Sequence, residues 1–334
     1  MGPFFPTLMM LVPSHESSIA TSLNLHDFQH WIHDQRIESK ACILECNAGG
    51  GRGLFAMERI ESGEVVARVP LSATLRVNGW DEEDNWAGVL AEMVLTEQEL
   101  GITSKYEPYL RLGLPNKAPL TPCRWTKVEL LQLQNNTFIE EIQRNSIWRQ
   151  DQQRSFHGVR QSTDDAYLTM LDLVCSRTLK GRDGSRQLVP LIDIANHSPR
   201  EAGGGEFKVD QHAVYLLAGH GGIDTGQAVT LDYGGRTMED FLLHYGFVPD
   251  RCRSDTLRID QHSISWMDCS YQGHADLSIR KKCFEMLNSF PTTMEVDLHQ
   301  LRSASLSEPF RLALQYRWAK KSLLAAAAGC SIYC

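Results

Sequence analysis

The stretch Gln-Leu-Val-Pro-Leu-Ile-Asp-Ile-Ala-Asn-His-Ser, residues 187–198, decides the fold. It is an apolar run that contains one aspartate, Asp193, and it ends abruptly at Asn196-His197-Ser198. A short apolar run bounded by polar residues predicts a buried strand, which we place at Leu188 to Ile194. Taken alone, Asn196 and His197 are explained by a cap on the next element and a hydrogen-bonded core histidine as readily as by a ligand site.

Two further short stretches have the same mixture of apolar and special residues. GGGRGLFA, residues 49–56, lies far upstream, and VTLDYG, residues 229–234, lies downstream. The glycines indicate either a tight turn or backbone that lies close against a ligand. A dinucleotide fingerprint is disfavoured, because a turn and a strand follow these glycines where that motif needs a helix. We expect the three stretches to meet in space and form one site.

Composition excludes several classes of function. The 334 residues are 42% hydrophobic and 22% charged, which is typical of a soluble globular protein. A formal charge of -8 argues against nucleic-acid binding and leaves room for a basic protein partner. The sequence contains no run of about 20 apolar residues, so we expect no membrane-spanning helix. The nine cysteines form no CxxC or CxC pair, so we expect free thiols and no zinc.

Patterns along the chain predict an α+β protein. A surface helix is expected over residues 21–40, and strands over 41–45 and 65–69. A helical segment of roughly 85 residues then separates these strands from strands at 213–217 and 229–233. Helices return after residue 250, the clearest at Glu308 to Ala328, which Ser307 caps and Gly329 ends.

Five stretches resemble, in this order, the SET-domain protein methyltransferases of the Rubisco large-subunit lysine methyltransferase and actin-histidine methyltransferase class. They are GRGLFAMERIESGEVVARVP (51–70), WAGVLAEMVLTEQELGITSKYEPYLRLGLP (86–115), VCSRTL (174–179), LVPLIDIANHSP (188–199) and GQAVTLDYGGRTMEDFLLHYGFVPD (226–250). The likeness covers about residues 40–250, and a weaker one includes EPFRLALQYRWAKKSLL near the end.

This resemblance implies a fold and a domain organisation. The fold is α+β: a β-rich SET domain with a pseudoknot-like crossing, interrupted by a helical insert, and a helical C-terminal domain. We expect a disordered N-terminus over 1–20, the SET domain over 21–250 with its insert at about 80–165, and a short substrate-binding-like domain over 251–334.

The implied activity is S-adenosylmethionine-dependent N-methylation of a lysine in a non-histone protein, with S-adenosylhomocysteine as product. Thr178-Leu179 follows the arginine of the motif, as in lysine-directed members, whereas actin-directed members have amide side chains there. Histidine methylation is the alternative activity. A SET-derived binding module without turnover is another, because the C-terminal region has only about 85 residues.

The resemblance also implies site residues. Tyr233 is the catalytic residue, its hydroxyl lying beside the transferring methyl. Asp193 and Tyr245 line the substrate channel, and no metal is expected. Gly50 stands where the plant enzyme has an acidic residue. The cofactor-binding residues are Gly50, Gly51, Arg52, Gly53, Ser176, Arg177, Asn196, His197 and Tyr233, with Arg177 on the methionyl carboxylate.

The expected partner is a protein with a target lysine, and we expect a monomer that binds neither nucleic acid nor membrane. An apolar N-terminal stretch at residues 4–12 fits a signal peptide poorly, because no basic residue precedes it and a proline interrupts it. The expected compartment is therefore the cytosol or nucleus, with a plastid as the alternative.

Overall fold

The computed structural model describes residues 27–46, 51–78, 85–115, 117–156, 164–181, 183–249, 255–259, 262–265, 277–303 and 305–329. The predictions for residues 1–20 and for Gly50 lie outside these ranges. Within them, no helix combines the length and the apolar character needed to cross a membrane.

Among the described residues, short strands form two four-stranded sheets, one three-stranded sheet and one two-stranded sheet. In chain order they are β1 (Glu38–Ser39), β2 (Ala41–Cys46), β3 (Gly51–Ala56), β4 (Val65–Pro70), β5 (Leu75–Val77), β6 (Leu179–Lys180), β7 (Arg186–Leu188), β8 (Asn196–His197), β9 (Glu206–Val209), β10 (Ala213–Leu217), β11 (Ala228–Leu231), β12 (Thr256–Ile259) and β13 (His262–Ser265). The sheets have the orders β1-β4-β10-β9, β2-β3-β11-β8 and β5-β7-β6, and β12 pairs with β13.

Most of the helices lie between β5 and β6 or near the end of the chain, whereas α1 precedes β1 and α6 follows β11. They are α1 (27–34), α2 (Trp86–Leu100), α3 (Lys127–Leu131), α4 (Asn136–Phe156), α5 (Asp164–Arg177), α6 (Met238–Asp240), α7 (Leu277–Asn288), α8 (Met294–Leu301) and α9 (Glu308–Ala328). The bounds predicted for α9 are confirmed, and Gly329 ends it with a φ of 77°. After the insert expected at about residues 80–165, α5 continues the helical segment to Arg177.

Chain segments that are distant in sequence cross around strand β11. β8 pairs in parallel with β11, so that Asn196 lies opposite Thr230 and His197 opposite Leu231. On its other side β11 pairs with β3 in antiparallel fashion. The Gly205 N–H donates to Thr230 O at 3.0 Å, which brings a further segment onto the same strand. The end of β11 is therefore held by segments that are distant in sequence.

The prediction of a strand from Leu188 to Ile194 is wrong, because most of this run is not a strand. Strand β7 ends at Leu188, and a tight helical turn covers Ile192–Ile194. Pro190 lacks the N–H that a continuing ladder would need, and Leu191 has a φ of 72°, which reverses the chain. The burial expected of this apolar run is confirmed, since Val189, Leu191 and the residues of the turn are all buried.

The first helix also differs from its prediction. Within the described residues α1 covers 27–34, and the chain turns at Arg36 and enters β1. The position of α1 at the surface is confirmed, because most of its residues are exposed while Phe28 and Trp31 form the buried apolar face. The Trp31 indole stacks on the Tyr109 ring with centroids 6.1 Å apart. Its N–H donates to Lys105 O at 2.7 Å, so α1 is fixed to the helical insert.

The last helix packs into the same apolar cluster as the insert and the segment after β11. Tyr316 of α9 lies with its ring centroid 5.2 Å from that of Phe138 in α4. Both belong to a buried cluster that also contains Phe241 and Leu242. The segment with Phe241 directly follows α6, so α9 supports the part of the chain that carries Tyr245.

Candidate active site

A cavity opens where α5 ends, beside the turn before β8 and the end of β11. Its walls include Ser176, Arg177, Thr178, Leu179, Lys180, Arg186, Ile192, Asp193, Ala195, Phe207, Leu231, Asp232, Tyr233, Arg236 and Tyr245. Five of the predicted site residues therefore line one cavity: Ser176, Arg177, Asp193, Tyr233 and Tyr245. They come from three separate stretches of the sequence.

Tyr233 is fixed by two hydrogen bonds that span the crossing. Its hydroxyl donates to Ala195 O at 2.8 Å, and its backbone N–H donates to His197 Nδ1 at 3.3 Å. Burial raises the pKa of the Tyr233 hydroxyl to about 12, while Arg177 acts in the opposite direction. The hydroxyl is therefore neutral near pH 7. Because Ala195 uses its only proton, the remaining lone pairs are available to accept from another group.

His197 supports Tyr233 from behind. Its ring centroid lies 5.0 Å from that of Tyr233 and 4.6 Å from that of Phe241. Burial lowers the pKa of His197, which favours the neutral ring whose Nδ1 accepts the Tyr233 N–H. The imidazole thus packs in an aromatic cluster. A contact of His197 with the cofactor stays a prediction.

Arg177 ends α5 and points toward the turn before β8. Its Nη1 donates to Asp193 O at 2.5 Å. Within the described part of the chain, its buried Nε has no hydrogen-bond partner. The neighbouring Ser176 hydroxyl donates back to Leu173 O in the same helix at 3.0 Å. Arg177 therefore keeps donor capacity at the cavity, whereas the Ser176 side chain serves the end of its helix.

Asp193 faces the insert as well as the cavity. The Tyr109 hydroxyl donates to Asp193 Oδ2, and no described residue donates to Oδ1. The side chain is buried, and burial raises the pKa of this carboxyl to about 6, against the influence of Arg177 and the Tyr109 hydrogen bond. Asp193 lines the cavity as predicted for a channel residue, and its interaction with Tyr109 was not foreseen.

The described part of the glycine stretch forms strand β3. Gly51 and Gly53 lie in β3, opposite Cys46 and Leu44 of β2. An added Cβ at Gly51 would meet no atom within 4 Å, so the backbone there borders open space. Strand β3 is not among the walls of the cavity described above. It contacts the site through the hydrogen bond between Asn196 and the Arg52 carbonyl.

Arg52 and Asn196 connect β3 to its surroundings. Asn196 is exposed, and its Nδ2 donates to Arg52 O at 3.3 Å. The Arg52 guanidinium donates to Leu112 O and, at 2.5 Å, to Leu114 O in the insert. The stretches around Gly51, Asn196 and Tyr233 therefore meet, as expected from the sequence. The Arg52 side chain secures the insert, so a cofactor contact of Arg52 stays a prediction for its backbone.

Tyr245, from the segment after α6, lines the cavity beside Tyr233. Its ring centroid lies 4.9 Å from that of Tyr233. The Arg236 guanidinium lies 5.2 Å from the Tyr245 centroid, and its Nε donates to Tyr233 O at 3.2 Å. Burial raises the pKa of the Tyr245 hydroxyl, which keeps it neutral. Arg236 thus joins the two tyrosines of the site.

Sequence reasoning missed three groups that shape this site. Ala195 contributes a backbone carbonyl, for which a sequence has no signal. Tyr109 lies 84 positions before Asp193 and meets it only in the folded chain. Arg236 could have been suspected, because it follows Tyr233 by three residues and a short helix begins just after it.

No family model matches the chain. A curated relative, SET domain-containing protein 8 of Schizosaccharomyces pombe, is 25% identical over 228 residues, which are 60% of this chain and 52% of the relative. The chain thus spans about half the length of that relative.

Solved structures with the same fold are Rubisco methyltransferases. The SET domain of LSMT bound to lysine and AdoHcy gives a TM-score of 0.67 at 16% identity, covering 92% of this chain and 90% of that one. Rubisco LSMT bound to sinefungin and monomethyllysine gives 0.66 at 15% identity over the same shares. The α+β class and the crossing fit this likeness, and the chain therefore has the SET-domain fold of Rubisco LSMT.

Proposed function

We propose that this protein is an S-adenosylmethionine-dependent protein N-methyltransferase that acts on lysine in a non-histone protein. One observation supports this most strongly: the buried Tyr233 hydroxyl is fixed on Ala195 O at 2.8 Å inside a cavity that Arg177 and Tyr245 also line. The related structures of LSMT contain lysine, monomethyllysine, AdoHcy or AdoMet, which agrees with the proposal.

The residues at the site fit the cofactor in two respects. The Nε of Arg177 is buried without a partner among the described residues, and a guanidinium is well suited to bind a carboxylate. The Gly51 backbone borders open space that any larger side chain would occupy. Among the described residues, no group of acidic, His or Cys side chains could hold a metal ion. When bound, S-adenosylmethionine supplies a methyl group already activated by its sulfonium.

The chain's own residues then align and desolvate the reacting groups. The Tyr233 oxygen presents lone pairs, which favour the partial positive charge of a methyl group during transfer and orient an incoming amine. Tyr245 and Ile192 line the cavity, where their apolar surface would limit the access of water to the reacting groups. Arg177 and Arg236 are positively charged neighbours, which favour the neutral form of an amine that enters. Transfer therefore needs no general base from the protein.

Lysine is favoured over histidine by the residues that follow Arg177. The Thr178 hydroxyl donates to Val174 O at 2.7 Å, just after the end of α5. The next residue, Leu179, is apolar. Neither residue offers an amide that could hydrogen-bond an imidazole. The histidine alternative and the alternative of a binding module without turnover predict different products, so one assay distinguishes all three.

The assay incubates the protein with methyl-labelled S-adenosylmethionine and a cell extract, and mass spectrometry identifies the modified residue. We expect label on a lysine of an extract protein. Label on a histidine would replace the lysine proposal by the alternative activity. A protein that transfers no label and does not bind the cofactor in calorimetry would refute the proposal. The monomeric state and the cytosolic or nuclear location stay predictions.

A further inference from the structure

Tyr109 of the helical insert contacts a wall residue of the active-site cavity without lining the cavity itself. Its hydroxyl donates to Oδ2 of Asp193, which lies 84 positions further along the chain. Tyr109 is fully buried, and burial raises the pKa of its hydroxyl well above the ordinary value. The phenol therefore keeps its proton at neutral pH and remains a donor to the carboxyl.

The Tyr109 ring has little freedom to move. It stacks on the Trp31 indole, with centroids 6.1 Å apart and an angle of 13° between the planes. An added Cβ at Gly113 would lie 2.6 Å from Cδ2 of the same ring, so glycine leaves room for the ring there. The Arg52 guanidinium donates to Leu112 O and holds the turn that begins at Tyr109. The position of the hydroxyl is thus set by α1, β3 and the insert together.

The contact leaves Asp193 with one unused oxygen. Oδ2 accepts from Tyr109, whereas Oδ1 is buried and has no hydrogen-bond partner among the described residues. A buried carboxylate oxygen of this kind is costly unless a ligand supplies the missing donor. Because Asp193 lines the cavity, the N–H groups of an entering amine meet this need.

Side chains from four parts of the fold interact with the Asp193 carboxyl. Burial raises the pKa of this carboxyl to about 6, whereas Arg177 of α5, the Tyr109 hydrogen bond and Arg52 of β3 all lower it. The Tyr233 hydroxyl, just after β11, is neutral, and the charge of Asp193 raises its pKa in turn. Among the described side chains, only that of Tyr109 donates to the carboxyl oxygens. The phenol is therefore the group that can fix the orientation of this carboxyl.

We propose that Tyr109 is a positioning residue that holds the Asp193 carboxyl so that its Oδ1 accepts from the acceptor amine. The inference rests on the proposed function for that amine. The same hydrogen bond favours the ionised carboxyl, which attracts the cationic amine as it enters. Tyr109 acts through Asp193 alone and touches neither the amine nor the cofactor.

The first measurement is the pKa of Asp193 by carbon-13 NMR of the aspartate carboxyls, with the signal assigned by its loss in Asp193→Asn. Tyr109→Phe removes the hydroxyl and keeps the ring on Trp31. It should raise the pKa of Asp193 by about 1, because a hydrogen bond to a charged group is lost. The matched control is Tyr106→Phe, which loses a buried hydroxyl bound to Thr74 O in the same insert. The control should leave the Asp193 pKa unchanged, and an unchanged pKa in Tyr109→Phe would overturn the inference.

The second measurement is the initial rate of label transfer from saturating S-adenosylmethionine to dilute cell extract, which is proportional to kcat/KM. With its pKa raised by about 1, Asp193 is ionised about a third as often at about pH 6.5, so Tyr109→Phe should transfer at about a third of the rate of the unaltered protein. Above about pH 8.5 the carboxyl is ionised in both proteins, and the two rates should converge. A ratio of rates that does not change with pH would mean that Tyr109 serves only the fold.

The two measurements separate this inference from the proposed function. A raised Asp193 pKa in Tyr109→Phe, without transfer by the unaltered protein, would refute the function and support the positioning of Asp193 by Tyr109. Transfer by the unaltered protein, with a ratio of rates that is independent of pH, would keep the function and refute the inference.

Discussion

The Tyr233 hydroxyl donates to the backbone carbonyl of Ala195 at 2.8 Å across the crossing of two chain segments. These residues are 38 positions apart, and the parallel pairing of β8 with β11 brings them together. The contact uses the hydroxyl proton and directs the oxygen lone pairs to other groups. The crossing therefore fixes both the place and the hydrogen-bonding state of the side chain that we assign to catalysis.

Gly51 provides a test of cofactor binding that does not disturb the fold. A Cβ at this position meets no atom within 4 Å, so Gly51→Ala should change the free energy of unfolding by less than about 0.5 kcal/mol. If the cofactor lies against this backbone, the same variant should raise the Kd for S-adenosylmethionine in calorimetry. Unchanged affinity in a stable variant would exclude β3 from the cofactor site.

Gly205 lies at the crossing itself and should respond in the opposite way. An added Cβ would overlap Leu217 O and lie 3.1 Å from Thr230 O. Both are backbone atoms, which have little freedom to move. We therefore expect Gly205→Ala to lower the free energy of unfolding, measured by chemical denaturation, by about 2 kcal/mol or more. A melting temperature equal to that of the unaltered protein would show that the crossing is looser than described.

Arg177 should act on cofactor affinity. Its guanidinium donates to Asp193 O and has a further buried donor, Nε, at the cavity. Arg177→Lys keeps the charge and loses the planar arrangement of donors, so the Kd for S-adenosylmethionine should rise about tenfold or more. Arg200→Lys is the control, because Arg200 pairs with Glu206 outside the cavity. Equal Kd values for the two variants would contradict this role for Arg177.

Lys320 should be needed for stability. Its ammonium donates to both oxygens of Asp255 at 2.7 Å and lies 2.8 Å from Glu239 Oε2. Removing one member of a buried charge cluster leaves the others without compensation, so Lys320→Met should cost about 3 kcal/mol or more. The exposed Lys281 is the control, and Lys281→Met should cost less than about 0.5 kcal/mol. A small effect of Lys320→Met would mean that water solvates this cluster.

Asp193 gives a prediction for pH dependence. Its pKa is raised to about 6 by burial, above the ordinary value of 3.8, so the folded state holds a proton that the unfolded state releases. The contribution of this group to stability is full below about pH 4 and is lost as pH rises through 6. The free energy of unfolding, relative to Asp193→Asn, should fall by about 3 kcal/mol over that range. A difference that does not vary with pH would contradict a buried carboxyl at this position.

The sequence predicted those elements whose local signals agree with their packing. The helix from Glu308 to Ala328 has a proline in its first turn and a terminal glycine, and its bounds are confirmed. The strand at Ala213–Leu217 is confirmed for a similar reason, since apolar residues continue between turn signals. The strand predicted from Leu188 to Ile194 was wrong, because Pro190 cannot continue the ladder and Leu191 adopts a positive φ, which non-glycine residues rarely do.

Within the site, the sequence indicated residues that lie together, their roles stay predictions, and several of their contacts were not foreseen. Tyr233, Arg177 and Tyr245 line one cavity, as the order of the motifs indicated. The hydroxyl of Tyr109 on Asp193 and the guanidinium of Arg52 on the insert join positions far apart in sequence. Such pairs follow from tertiary packing and leave no periodic signal in the chain.

The most direct test of the proposed activity compares the Tyr233→Phe variant with the unaltered protein. The quantity measured is the single-turnover rate of methyl transfer at saturating S-adenosylmethionine. The control is Tyr215→Phe, because Tyr215 donates to Asp210 outside the cavity and loses the same atom. We predict that Tyr233→Phe lowers the rate about a hundredfold or more while cofactor affinity is kept, and that Tyr215→Phe leaves the rate unchanged. Equal rates for Tyr233→Phe and the unaltered protein, or no transfer by the unaltered protein, would contradict the account.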